Sequence, residues 1–223
     1  MMKEEIELII DYPANIAKQL LNDEIDIGLI PVAVLIEMKE YHIITDYCIG
    51  SEGEVASVCI FSEVPIEQIK VVMLDYQSRT SVSLAKILLK EYWKIDPTIE
   101  EASIDFRENI KGTTAAVVIG DRAFEQRLQS KYMYDLGEAW TRFTGLPFVF
   151  AAWVSNKQLP QGFIDNFNNA NSFGLQHINE VLKLNPYKVF DLKAYYNQYI
   201  SFDLTDKKRK GLNLFLAKLN SFL

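Results

Sequence analysis

Short apolar runs that read as strands alternate with segments of helical period between residues 6 and 156, and this order restricts the fold more than any other feature of the chain. "IELII" reads as a strand, "ANIAKQLLN" as a helix, and "EIDIGLIPV" as a second strand closed by Pro31. "EVASVCIFS", "IKVVMLD", a short run near "ASIDF" and "AAVVIGD" follow as further strands, with helices over residues 79–93 and in "RAFEQRLQSKY". The long apolar run "TGLPFVFAAWVSN" is the last strand, after which the chain is helical to its end. Strands interleaved with helices predict an α/β protein with mainly parallel sheets flanked by helices.

Composition narrows the class of partner. Lys plus Arg is 23 against 30 for Asp plus Glu, a net charge of -7 that argues against a general nucleic-acid or anionic-membrane surface. The one basic run, "KKRK" at 207–210, follows Asp203 and Asp206 and reads as a solvated helix start. Cys48 and Cys59 lack metal-ligand spacing and read as two free thiols in a reducing compartment. His42 and His177 stand apart from any acidic or cysteine cluster, so no metal site is expected. Apolar runs stay well short of the roughly 20 residues of a membrane span, and "MMKEEIELII" has no signal-peptide pattern, so the cytoplasm is the expected compartment.

Three positions stand out as chemistry. In "LDYQSRTSVSLAKILL", Ser78, Thr80 and Ser81 crowd the turn where a strand gives way to a helix. One hydroxyl, that of Thr80 or Ser81, suffices to cap the helix; three at a strand's C-terminal end also suit a carboxylate site, and both readings stand. In "EVASVCIFS", alternation puts Val55, Ser57, Cys59 and Phe61 on one face, so Ser57 either bonds backbone or faces a cleft. In "VVIGD", Gly120 could let a ligand approach closely, and Asp121 reads first as a helix cap and second as a polar site residue. "GSEGE" is too short for a phosphate loop, and Gly53 reads as a tight turn.

Taken in order, "DIGLIPVAV", "IGSEGEVASVCIFS", "LDYQSRTSVSLAKILL", "VVIGD" and "YDLGEAWTRFTGLPFVFAAWV" resemble the chorismate dehydratase family of the futalosine route to menaquinone, with weaker support in "YYNQYISFDLTDKKRKGLNLF". The resemblance implies a two-lobed fold like that of type II periplasmic binding proteins, with a cleft between lobes that close on the ligand and no metal or organic cofactor. It implies a hydro-lyase that removes water from chorismate to give 3-[(1-carboxyvinyl)oxy]benzoate, the substrate's own carboxylate taking the proton. Ser57 would be the catalytic serine contacting substrate, and Ser78, Thr80, Ser81, Gly120 and Asp121 would bind it. On this pattern the first lobe comprises residues 1–63 and 147–223 and the second residues 64–146, hinged near Ser62 to Pro65 and near Gly145 to Phe148. Family members begin with a strand and a "YLNT-P"-like loop before the equivalent of "IELIIDYP", so Met1 or Met2 is expected to be internal to a longer protein. A carboxylate-binding solute receptor of the same fold, and the sister dihydroxynaphthoate synthase, are the alternative readings.

Overall fold

The computed structural model describes residue 2 and residues 4–75, 78–102 and 106–222. Helix α1 (Pro13–Leu21) starts on a proline, whose fixed φ and missing N–H suit a first helical turn, and it buries Ile16, Ala17 and Leu20. Strands β1 (Ile27–Pro31), β2 (His42–Ser51) and β3 (Val58–Ser62) follow, with a 3-10 turn at Val32–Glu37 between the first two. Strand β4 (Val71–Leu74) leads to helix α2 (Arg79–Ile87), which runs into a π turn at Leu88–Tyr92. Next come β5 (Thr98–Glu101), β6 (Thr114–Ile119), helix α3 (Asp121–Arg127), β7 (Tyr132–Asp135) and helix α4 (Leu136–Thr144). Strand β8 (Phe148–Ser155), helices α5 (Gln161–Gln176), α6 (Ile178–Leu184) and α7 (Leu192–Ala194), β9 (Ser201–Asp203) and helix α8 (Asp206–Asn220) complete the order.

The strands form two sheets, ordered β1-β8-β2-β9 and β5-β4-β6-β3-β7. The α/β class with helices flanking both sheets is as the sequence predicts, but the expectation of mainly parallel sheets is corrected. Only β4 pairs in parallel, with β5 and β6; β8 is antiparallel to β1 and β2, β9 to β2, and β3 to β6 and β7. The reason lies in the crossings. The chain passes from the first sheet to the second ahead of β3 and back ahead of β8, and each of these strands then runs against both of its neighbours. Periodicity cannot see this, because a strand buried on both faces is a continuous apolar run in either direction. The residues of "FVFAAWVS" are nearly all buried.

The same pairings correct the boundary at residue 63. Val58–Ser62 bonds within the second sheet, so the outward crossing lies between Ser51 and Val58 rather than near Ser62 to Pro65. "IELII" is also corrected: among the described residues it joins no ladder, leaving Leu8 at 70% and Ile10 at 88% exposed. The expected strand at "ASIDF" lies a few residues earlier, at Thr98–Glu101, and residues 103–105 fall outside the described residues.

One large cluster of buried side chains joins elements of both sheets. Trp140 of α4 sits in it edge-on to Phe148 of β8 and Phe215 of α8. The "KKRK" run starts a helix as expected, with Lys207 and Lys210 exposed, but one of its lysines does not stay in solvent. Lys208 is fully buried in the first turn of α8, its Nζ donating to the Ser201 carbonyl (2.8 Å), the Ser201 Oγ (2.6 Å) and the Asp203 carbonyl (2.7 Å). Three acceptors match the three donors of an ammonium, which makes burial of the charge tolerable. Burial lowers the pKa of Lys208 from its usual value.

Candidate functional site

Strands β4 and β6 run parallel, β3 opposes β6 with Val58 across from Ile119, and β7 opposes β3 with Asp135 across from Cys59. This register brings the ends of β4, β6 and β7, the start of β3, and the N-termini of α2, α3 and α4 to one end of the second sheet. Ends of this kind are where open α/β sheets bind ligands.

Ser57 sits at this end, 5% exposed, on a turn held by contacts distant in sequence. Ala56 has φ 64°, a left-handed conformation that costs a non-glycine residue about 1–2 kcal/mol and persists only where its surroundings impose it. Those surroundings are Asp135 and Arg127. The Asp135 carboxylate accepts the N–H of Val55 (3.1 Å to each oxygen), of Ala56 (2.7 Å) and of Glu138 (3.0 Å), while Arg127 donates to the Ala56 carbonyl and to Glu54, both at 2.9 Å. Burial pushes the Asp135 pKa up despite these three donors, and the neighbouring Cys59 thiol is raised well above its usual range, again chiefly by burial. The Ser57 carbonyl accepts the Gly120 N–H at 2.9 Å, which fixes two of the sequence-predicted residues side by side. The Ser57 hydroxyl pairs with the Tyr195 phenol at 2.8 Å.

Gly120 has φ 64° and ψ -147°, and a side-chain carbon added to it would meet nothing within 4 Å. The open space is a cavity of about 630 Å³ whose walls include Gly120, Asp121, Phe124, Tyr187, Tyr195 and Tyr196. The expectation that Asp121 caps its helix is corrected. Gly120 is the N-cap, and Asp121 is the first helical residue, its carboxylate placed where the helix dipole favours negative charge.

At the start of α2 the hydroxyls have local work. A hydroxyl caps the helix, but it is Ser78 rather than the expected Thr80 or Ser81: Ser78 is the N-cap, its Oγ accepting the Ser81 N–H at 3.1 Å. Thr80 and Ser81 are buried, and the Thr80 Oγ1 accepts the N–H of Ala33, in the Val32–Glu37 turn beside the first sheet, at 3.2 Å. An accepting hydroxyl keeps its own proton to donate, so capping and ligand binding do not exclude one another here. Beside them Asp75, with no side-chain exposure, takes both oxygens to Arg122 Nη2 at 2.9 and 2.6 Å.

Asp135, Arg127, Tyr195 and the Asp75–Arg122 pair are neighbours of the expected site residues that sequence reasoning missed. The stretch "DLGE" carries the acid-x-x-Glu spacing of a capping box, a signal that could have found the cap at Asp135 though not its bonds to residues 55 and 56. Among the described residues no group of three or more His, Cys, Asp or Glu could hold a metal ion, and no helix is long and apolar enough to cross a membrane.

Comparison with known proteins places this geometry in context. Residues 1–221 match a family described as menaquinone biosynthesis. The chain is 25% identical to the chorismate dehydratase of Thermus thermophilus over 230 residues, covering 93% of this chain and 84% of that one. In structure it resembles a protein of Archaeoglobus fulgidus (TM-score 0.71, 14% identity, 98% and 88% of the two chains). It also resembles an ABC transporter protein of Parabacteroides distasonis (0.63, 14%, 99% and 86%) and the periplasmic aliphatic sulphonate-binding protein SsuA of Escherichia coli (0.54, 14%, 93% and 77%). At that identity the likeness carries the fold alone, and the fold is that of periplasmic binding proteins.

Proposed function

This chain belongs to the menaquinone biosynthesis family, and from that premise we propose that it is a chorismate dehydratase, a lyase that removes water from chorismate to give 3-[(1-carboxyvinyl)oxy]benzoate. The observation that carries this reading is the Ser57 turn: its backbone is held by Asp135 and Arg127 and its hydroxyl bonds Tyr195, a wall residue of the cavity, at the same sheet end as a hydroxyl-rich helix start.

The reaction asks for little beyond such a holder. A ring proton and a ring hydroxyl leave together as water, nothing is oxidised or reduced, and the gain of aromaticity supplies much of the driving force. The protein must grip a dicarboxylate, orient the breaking C–H and C–O bonds and keep bulk water away; such positioning can lower a barrier by on the order of 7–11 kcal/mol. Ser78, Thr80 and Ser81, with the unpaired N–H groups of the first turn of α2, receive one carboxylate through their remaining hydroxyl protons. Ser57 is the catalytic residue, contacting the reacting end of the substrate from the facing side. Gly120 leaves the space the ring needs, and Asp121 borders it. The substrate lies between two lobes built on the two sheets, and its own carboxylate accepts the ring proton.

The test is to incubate the purified chain with chorismate and follow, by mass spectrometry and ultraviolet absorbance, an aromatic product lighter by one water. Accumulation of that product supports the dehydratase. Chorismate that binds yet stays unchanged would overturn it in favour of a carboxylate receptor of the same fold.

A further inference from the structure

The bond between Ser57 and Tyr195 joins residues 138 positions apart, and it carries more hydrogen-bonding capacity than it uses. Two hydroxyls bring two protons and the bond between them consumes one, so a second proton is left to donate elsewhere. Tyr195 is among the residues that line the 630 Å³ cavity, so the pair stands at the cavity wall. The direction of the phenol is fixed by aromatic packing. The Tyr195 ring lies edge-on to Phe124 at 5.1 Å, and Phe124 is itself stacked on Phe190 at 4.2 Å.

We propose that Tyr195 is a substrate-binding residue that works with Ser57 as a hydroxyl pair, delivering a hydrogen bond to a carboxylate of an aromatic-ring-sized dicarboxylate in the adjoining cavity. This rests on the dicarboxylate site proposed above. It adds a contact contributed by the helical C-terminal part of the chain, so that ligand is recognised by the second sheet and by residues 187–196 together. Phe124, Tyr187 and Tyr196 bring aromatic side chains to the cavity walls, which suits a six-membered ring flanked by charged groups. Burial pushes the Tyr195 phenol up to about 12, so it is a proton donor throughout the neutral range. A serine alone would reach an anion with one flexible donor, whereas the pair gives a donor whose direction is set by a packed ring.

The experiment measures isophthalate, a stable benzene dicarboxylate, by isothermal titration calorimetry against the full chain and the variants Tyr195→Phe, Ser57→Ala and both together, with chorismate turnover followed in parallel. Each single variant is expected to weaken isophthalate about tenfold, the size of effect that loss of one hydrogen bond to a charged group gives. The double variant is expected to be no more than about threefold weaker than the worse single, because either change breaks the same pair. Tyr195→Phe that binds as tightly as the parent, full additivity in the double, or a parent that does not bind isophthalate would each overturn the proposal. Should Tyr195→Phe fail to fold, unchanged binding by Ser57→Ala overturns it alone. Parent protein that binds isophthalate through the pair but leaves chorismate intact would instead sink the dehydratase reading and leave this one standing.

Discussion

Two sets of hydroxyls sit at the same end of the second sheet and are held in opposite ways. Ser78 is fixed by its own helix, three residues along the chain, whereas Ser57 is fixed by Asp135, Arg127 and Gly120, all more than sixty residues away. The first arrangement is inexpensive and would form in any helix with that sequence. The second imposes a left-handed alanine and buries a carboxylate whose pKa is raised by that burial. A fold that supports such a turn is one in which the position of the Ser57 hydroxyl matters, while the hydroxyls of α2 serve structure first and ligand second.

The sharpest way to break this contrast is Asp135→Ala, which leaves the buried N–H groups of Val55 and Ala56 and the half-buried one of Glu138 without their acceptor. Stability is expected to fall by about 3 kcal/mol or more in denaturant titration, and turnover to vanish with the turn. A variant that keeps both would show that the turn holds itself. Ser57→Ala should leave the melting temperature nearly unchanged and lower chorismate turnover about 100-fold, the typical effect of removing one well-placed donor; equal activity would reduce Ser57 to a packing residue. Smaller effects belong to α2. Thr80→Val and Ser78→Ala should each lose about 1 kcal/mol of stability, from the unpaired Ala33 N–H and the missing cap respectively, with a rise in KM larger than any fall in kcat. An unchanged KM would confine these hydroxyls to structure.

The gentlest test is alkaline pH. The Tyr195 pKa is raised from 10.0 to about 12, so folding favours the neutral phenol; that stability is complete below about pH 10 and is lost as pH rises toward 12. Tyr195→Phe should therefore show a shallower fall in melting temperature across that window than the parent protein. Identical slopes would mean that the phenol does not titrate with unfolding.

The contrast also explains what the sequence could disclose. The order α1, β1, β3, β4, α2, β6, α3, β8 and the strand ends at Pro31 and Gly120 follow from periodicity and local turn chemistry and were legible. Strands β2, β7 and β9, the last in a stretch expected to be helical, and helix α4 were not, nor was Ser78 as the cap in place of Thr80 or Ser81. Strand direction was not legible, since β3 and β8 are apolar up to their last residue, a serine, and such runs read alike both ways. Ser57 stood out as a polar interruption, yet its partners could not be named, because Asp135 reads locally as a helix cap and Tyr195 as one aromatic residue among several in "YYNQY". "IELII" misled for the complementary reason: strand propensity is realised only beside a neighbouring strand, and among the described residues none pairs with it.

Lys208 offers a clock. Its ammonium is sealed beneath the start of α8 by the carbonyls of Ser201 and Asp203, while Lys207 and Lys210 on either side face water. An amine-acylating reagent should label those two neighbours within its ordinary reaction time and reach Lys208 only when α8 lifts away from β9. The lag between the two signals, read peptide by peptide, would measure how often the C-terminal helix detaches while the rest of the protein stays folded.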